Sequence, residues 1–144
     1  MKVDQKATYL ATINNLPGTE LFQTLYVTSE QGEVVDVSED GRLSCALVVS
    51  RLLTIFQLID RPHATVGSTV RATEKTGWAK SDSPTTGGLV VWPPLDGHAH
   101  IGFYIGDGKC ISNNADLGVP SVHQLTMKDG RKPEFFLTHG VFLG

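Results

Sequence analysis

The stretch CALVVSRLLTIFQLI, from Cys45 to Ile59, is apolar nearly all the way round. Read at helical spacing, Leu47, Val48, Leu52, Leu53, Phe56 and Ile59 leave no wet face, and a helix without one belongs at the centre of a fold. Its β-branched residues also suit a strand, but its length favours a helix. The segment therefore predicts a buried helix over 45–59, around which the rest of the chain must build covering layers. With 144 residues, 40% of them hydrophobic, the chain can supply such a core as one domain spanning 1–144.

The flanking segments are read by their punctuation. Asp4 to about Asn15 is weakly helical and closes at NNLPG. Leu25–Thr28 and Glu33–Val37 read as two short strands around a Gln31-Gly32 turn, a flap in front of the cysteine. IDRPH breaks the central helix, and Thr65 or Ser68 caps a further helix to about Thr76. After SDSPTTGG the chain turns strand-rich. Leu89–Trp92 is stopped by Pro93-Pro94, and His100–Ile105 and Lys109–Asn113 form a hairpin about Gly106-Asp107-Gly108. Strands near Ser121–Leu125 and Phe135–Leu137 complete a small antiparallel sheet. Helices first and strands after make an α+β layout.

Cys45 stands at the threshold of the apolar helix, where unpaired N–H groups and the positive end of the helix dipole lie. That position lowers a thiol's pKa and makes a nucleophile, whereas a packing cysteine could sit anywhere along the helix. A thiolate needs a base, and the base needs a third group to hold its ring. His100, opening the first strand of the tight hairpin, is the candidate base. Pairing Ile105 with Asp107 about Gly106 sets His100 opposite Ser112 on one face, because side chains repeat every two residues. Ser112 is therefore the first choice to orient the ring. Asn114, a step along the same face, and Asn113, on the other face unless a bulge intervenes, are its rivals.

LSCALVVSRLL, followed by GGLVVWPPLDGHAHIGFYIGDGKCIS, resembles the NlpC/P60 branch of the papain-like cysteine peptidases. HIGFYIGDGK is the specific part of the match, and the cysteine helix agrees in character; together they span roughly Gly41 to Asn113. The resemblance implies a papain-like fold in which the nucleophile helix packs on a small antiparallel sheet. It implies hydrolysis of peptide or isopeptide bonds, typically in bacterial cell-wall peptidoglycan, with Cys45 at the position of the nucleophile and His100 at that of the base. Three positions depart from the family pattern. Ser44 stands where an Asp often precedes the cysteine, Gly87-Gly88 where Gly-Asp leads the Leu-Val strand, and Ser112 where the third catalytic residue is usually a second histidine.

Rival readings of the same residues are blander. His98 and His100 have the spacing of strand-borne zinc ligands, and His123, Cys110 or Cys45 could add a third, but no second motif at metal spacing is present, so neither a metal nor another cofactor is expected. Cys110 reads as a small strand residue, and Trp78 and Trp92 as packing residues, with Trp92 near the cleft rim. His63 belongs to the inter-helix turn, and His139 shows no partner in the sequence.

A net charge of -3 without a basic block gives no electrostatic reason to bind nucleic acid, and no segment is long enough to insert in a membrane. MKVDQKATYL has neither a cationic nor an apolar leader region, which makes the cytoplasm the default location, with signal-less export to the cell wall as the other arrangement. Two alternatives to a hydrolase share these features. One is a deamidase or acyltransferase using the same Cys-His pair, and the other is a binding module that keeps the fold with a decayed third position. The substrate and the oligomeric state are not legible from one chain.

Overall fold

Asp4 accepts a hydrogen bond from the Ala7 N–H and so begins α1 (Gln5–Asn14). In this computed structural model, which describes residues 1–142, a hairpin of β1 (Tyr26–Thr28) and β2 (Val34–Asp36) follows, and then α2 (Cys45–Ile55) and α3 (Val66–Glu74). Thr65 is the residue that caps α3, accepting from the Ser68 N–H. Six strands come next: β3 (Trp78–Ser81), β4 (Leu89–Leu95), β5 (His98–Gly106), β6 (Lys109–Asn114), β7 (Val119–Gln124) and β8 (Phe135–His139). They form one antiparallel sheet in the order β3-β8-β4-β5-β6-β7. The architecture of the described residues is α+β: three α-helices, this sheet, the separate two-stranded hairpin, and a short 3-10 turn at Gly140–Phe142.

The two faces of the sheet do different work, as the period of two in each strand requires. Leu89 and Val91 of β4, Ile101 and Phe103 of β5, and Ile111 of β6 point to the helical side, where Val48, Val49, Leu52 and Leu53 of α2 cover them. Tyr9 ties α1 to the same layer, burying its ring and donating its hydroxyl to the Gly87 carbonyl at 2.7 Å. Val90, Trp92 and Cys110 point the other way and are covered by Leu125 and Met127, from the chain leaving β7. The Trp92 indole N–H donates to the Leu125 carbonyl at 2.7 Å and holds that cover in place.

Four expectations change in detail. The central helix stops at Ile55 rather than Ile59, because Gln57 turns left-handed (φ 58) and the Leu58 N–H closes back on the Leu53 carbonyl at 2.9 Å. This is the six-to-one closure that usually takes glycine. β4 does not stop at Trp92 but runs through Pro93 and Pro94 to Leu95. Its pairing with β5 slips between Trp92 and Leu95, and its pairing with β8 ends at Val91, so the prolines sit where no ladder N–H is required. Trp78–Ser81 is a strand that pattern reading misses, paired along one edge with β8.

The fourth change is the hairpin register. Phe103 pairs with Ile111 and Tyr104 with Cys110, around a turn in which Asp107 and Gly108 both have positive φ. One step along that ladder Gly102, not His100, lies beside Ser112, displaced by two residues from the expected pairing. A shift of two preserves the face, so His100 and Ser112 still share it. Gly102 leaves them room: a Cβ there would lie 2.6 Å from the Ser112 Cβ and 2.8 Å from the Ile111 carbonyl oxygen. Gly102→Ala is therefore expected to destabilise the protein by about 1–3 kcal/mol through overpacking. Gly140→Ala, which adds a Cβ with no neighbour within 4 Å, should leave the urea-unfolding midpoint almost unchanged.

Candidate active site

Cys45 is the first residue of α2, and the turn that delivers it is strained. Glu39, Asp40 and Gly41 all have positive φ (53, 56 and 89). The Asp36 carboxylate holds this turn by accepting from the backbone N–H groups of Leu25, Ser38 and Asp40 and from the Ser38 hydroxyl. Those bonds, with that of the Ser38 hydroxyl foremost, pull its pKa down to about 2. From the other side Gln23 donates to the Asp40 carbonyl at 3.0 Å, and Asn113 to the Gly41 carbonyl at 2.5 Å. Ser44, in the N-cap position, makes no cap bond and gives its hydroxyl to the Gln23 carbonyl instead, at 2.7 Å. The first N–H groups of α2 are thus left without a cap from Ser44, and those of Cys45 and Ala46 reach the Cys45 sulfur together with the Ile101 N–H of β5.

These donors do not produce the low thiol pKa expected from the helix terminus. Burial outweighs them and raises the Cys45 pKa above its ordinary value. His100 moves the opposite way. Burial, then the positive charge possible on His123 and that on Arg131, lower it to about 4. Both shifts favour the uncharged forms, so the resting pair is a thiol and a neutral imidazole.

Cys45 and His100 line one cavity of about 650 Å³, with Leu43, His98, Asn113 and Arg131 among its other walls. They reach it from different layers. Cys45 packs with the helical side, whereas His100 stands on the opposite sheet face beside its ladder partner Trp92, ring centroids 5.4 Å apart. Ser112 lies within hydrogen-bond reach of His100: its Oγ is 2.8 Å from His100 Nε2. The same Oγ is 2.6 Å from His123 Nε2, and His123 Nδ1 is 2.8 Å from the Gln124 carbonyl oxygen.

The other sequence candidates separate from this centre. Asn113, on the helical face, clamps the Gly41 turn and makes no bond to His100. Asn114 accepts from the Asp116 and Leu117 N–H groups to form the β6–β7 turn. Among the described residues no three of His, Cys, Asp and Glu gather to hold a metal ion. Both cysteines are free, and Cys110 lies on the sheet face away from α2, its thiol pushed up to about 12 by burial. Trp92 is fully buried behind the imidazoles rather than at a rim, and Trp78 packs with its indole N–H on the Leu58 carbonyl. His139 has a partner after all, the Thr76 carbonyl at 3.1 Å.

Sequence reading considered His123 only as a metal ligand and missed its contact with Ser112. The signal was available in the turn: folding the chain at Ala115–Gly118 pairs Cys110 with His123 and puts its ring on the face of Ser112. Arg131 was missed as well. It donates to the carbonyls of Pro93 and His98, both at 3.0 Å, and pairs with Asp129 at 3.0 Å, fastening the loop beyond β7 to the β4–β5 connection.

No family model matches the chain, and no curated protein matches it significantly. No helix among the described residues is long and apolar enough to cross a membrane.

Between its ordinary value of 6.5 and its folded value of about 4, His100 binds a proton in the unfolded chain that it does not bind in the folded one. Its contribution to stability is therefore complete above about pH 6.5 and is lost as the pH falls to about 4, in total on the order of 3 kcal/mol. His123, also lowered by burial, adds a term of the same sign. Urea unfolding at pH 7.0 and 4.5 should show this loss in the wild type and a clearly smaller one in His100→Gln.

Proposed function

We propose that this protein is a cysteine hydrolase that cleaves amide bonds, peptide or isopeptide, with bacterial cell-wall peptides as its substrate class. The observation that carries this reading is that Cys45 and His100 open into one cavity. The resemblance of HIGFYIGDGK and the cysteine helix to the NlpC/P60 peptidases supports the substrate class. The papain-like form of the fold belongs to the same proposal.

The chemistry starts from the neutral pair. As the Cys45 sulfur attacks the amide carbon, its proton passes to His100, and the carbonyl electrons move onto oxygen. The uncapped N–H groups at the start of α2 accept that oxyanion as hydrogen-bond donors, where the helix dipole favours negative charge. The His100 imidazolium then gives its proton to the leaving nitrogen, the C–N bond breaks, and an S-acyl enzyme remains. Water attacks the thioester, its proton passes to His100, and collapse of this second intermediate releases the acid while the proton returns to sulfur. With an amine in place of water as the acceptor, the same sequence carries out acyl transfer.

Incubation with purified peptidoglycan should release new amines and defined muropeptide fragments, read by mass spectrometry, and Cys45→Ala should release none. Iodoacetamide separates an activated thiol from a packing one without any substrate. Cys45 should label far faster than Cys110, and His100→Ala should slow it by about a hundredfold, the usual scale of a lost general base. Equal, slow labelling of both cysteines would leave a binding module in place of the enzyme.

A further inference from the structure

We propose that His123 is a positioning residue that, acting through Ser112, keeps the proton of His100 on Nε2 and so leaves Nδ1 free to take the proton of Cys45. The inference rests on the cysteine-hydrolase reading for its purpose, but its physical basis is a chain of three contacts that can be solved for protons. A backbone carbonyl only accepts. The 2.8 Å contact between His123 Nδ1 and the Gln124 carbonyl therefore puts the proton of the neutral ring on Nδ1 and a lone pair on Nε2. Ser112 Oγ, 2.6 Å from that lone pair, must donate its only proton to it. Toward His100 the hydroxyl then has only lone pairs to offer, so His100 Nε2, at 2.8 Å, carries the proton. Nδ1 of His100, which makes no hydrogen bond among the described residues, is left as the base.

A serine alone could not do this. A hydroxyl donates or accepts with equal ease, so Ser112 without His123 would allow His100 either tautomer, and only one of them can take a proton from sulfur through Nδ1. With neutral His123 behind it, Ser112 accepts from Nε2 whether His100 is neutral or carries the proton taken from Cys45. The relay therefore suits both sides of the proton transfer. It uses no charge, which fits a buried setting where a carboxylate would itself need a partner. Trp92 fixes the spacing, with its ring centroid 5.4 Å from each imidazole.

Protonation of His123 removes the constraint. With protons on both nitrogens it donates to Ser112, whose own proton is then free to turn toward His100 Nε2 and so admits the Nδ1–H tautomer, in which the base is blocked. The titratable and charged groups around His123 are His100 on β5, its ladder partner Cys110 on β6, and Lys109 opposite Gln124. The Asp129–Arg131 ion pair stands close enough to His100 to act on it. Among these groups only His100 shares the relay.

The test is 15N NMR of the histidine rings of the full chain, combined with the iodoacetamide rate at Cys45. In the wild type at pH 7.5 His100 should be the Nε2–H tautomer and His123 the Nδ1–H tautomer. His123→Gln, whose amide oxygen can accept from Ser112, should keep the His100 tautomer and a labelling rate within about threefold of wild type. Toward acid pH its rate should decline less steeply than the wild-type rate, since the group whose protonation removes the constraint is gone. His123→Ala and Ser112→Ala should give a mixture of His100 tautomers and label about tenfold or more slowly, part of the hundredfold scale of a lost base. A wild-type His100 protonated on Nδ1 overturns the proposal without any variant needing to fold, and so does a folded His123→Ala that labels like wild type. If the tautomers are as stated but His100→Ala does not slow labelling, the relay stands and the hydrolase reading falls.

Discussion

Burial of α2 against β5 and β6 determines where the Cys45 sulfur can stand. Leu52 and Leu53 are fully buried in that contact, and each side chain of this kind contributes about 1.5–3 kcal/mol when taken from water. A helix held this firmly has a fixed first residue, and the chain entering it must adapt. It does so at Glu39 and Asp40, where left-handed backbone costs about 1–2 kcal/mol for each non-glycine residue. The bonds from Asp36, Gln23 and Asn113 converge on this turn, so the strain is held just before Cys45. Gly41 is required twice over, by its φ of 89 and because a Cβ there would collide with the Gly118 carbonyl.

The same burial determines the electrostatics of the centre. Three backbone N–H groups near the sulfur and the charge of Arg131 all favour a thiolate, yet desolvation outweighs them. Arg131, the smallest of these influences on the thiol, is itself paired with Asp129 and donates to the Pro93 and His98 carbonyls. His100 is equally unwilling to become charged. A preformed ion pair is thus disfavoured, and in the proposed chemistry the thiolate arises only as its proton leaves. For the proposed reaction the direction in which His100 presents its lone pair is then decisive, since a neutral imidazole with its proton on the wrong nitrogen could not start it.

Much of this arrangement was legible in the chain. The apolar run around Leu47–Leu53 marked the buried helix, and Cys45 at its start followed from the polar, Gly41-containing turn before it. His100 and Ser112 fell on one face because strand parity survives a register error of two residues, which is the error the Gly106-Asp107-Gly108 turn invites. The end of α2 was not legible, because Gln57 takes the left-handed position where sequence rules look for glycine. The persistence of β4 through Pro93-Pro94 was hidden for a related reason: whether a proline ends a strand depends on whether a neighbour needs its N–H, and that depends on where β8 stops. The place of His123 is legible only once the β6–β7 register is read, since it touches Ser112 across a turn, eleven positions away in sequence.

The packing around position 112 bears on why the proposed site has a serine there. Cys45 comes from the helical side and His100 from the opposite sheet face, and the cavity they both line lies at the margin where the β4–β5 ladder slips. Behind His100 the space is already occupied by the Trp92 ring, and Gly102 opposite Ser112 keeps the ladder narrow. A second imidazole on β6 at position 112 would have to fit against Trp92 and over Gly102 at once. Moving that imidazole one strand further out, to β7, and bridging the gap with the smallest side chain that both donates and accepts satisfies the packing and the hydrogen bonding together. In the proposed relay Ser112 is the spacer between two imidazoles, its Oγ within hydrogen-bond reach of His100 on one side and of His123 on the neighbouring strand on the other.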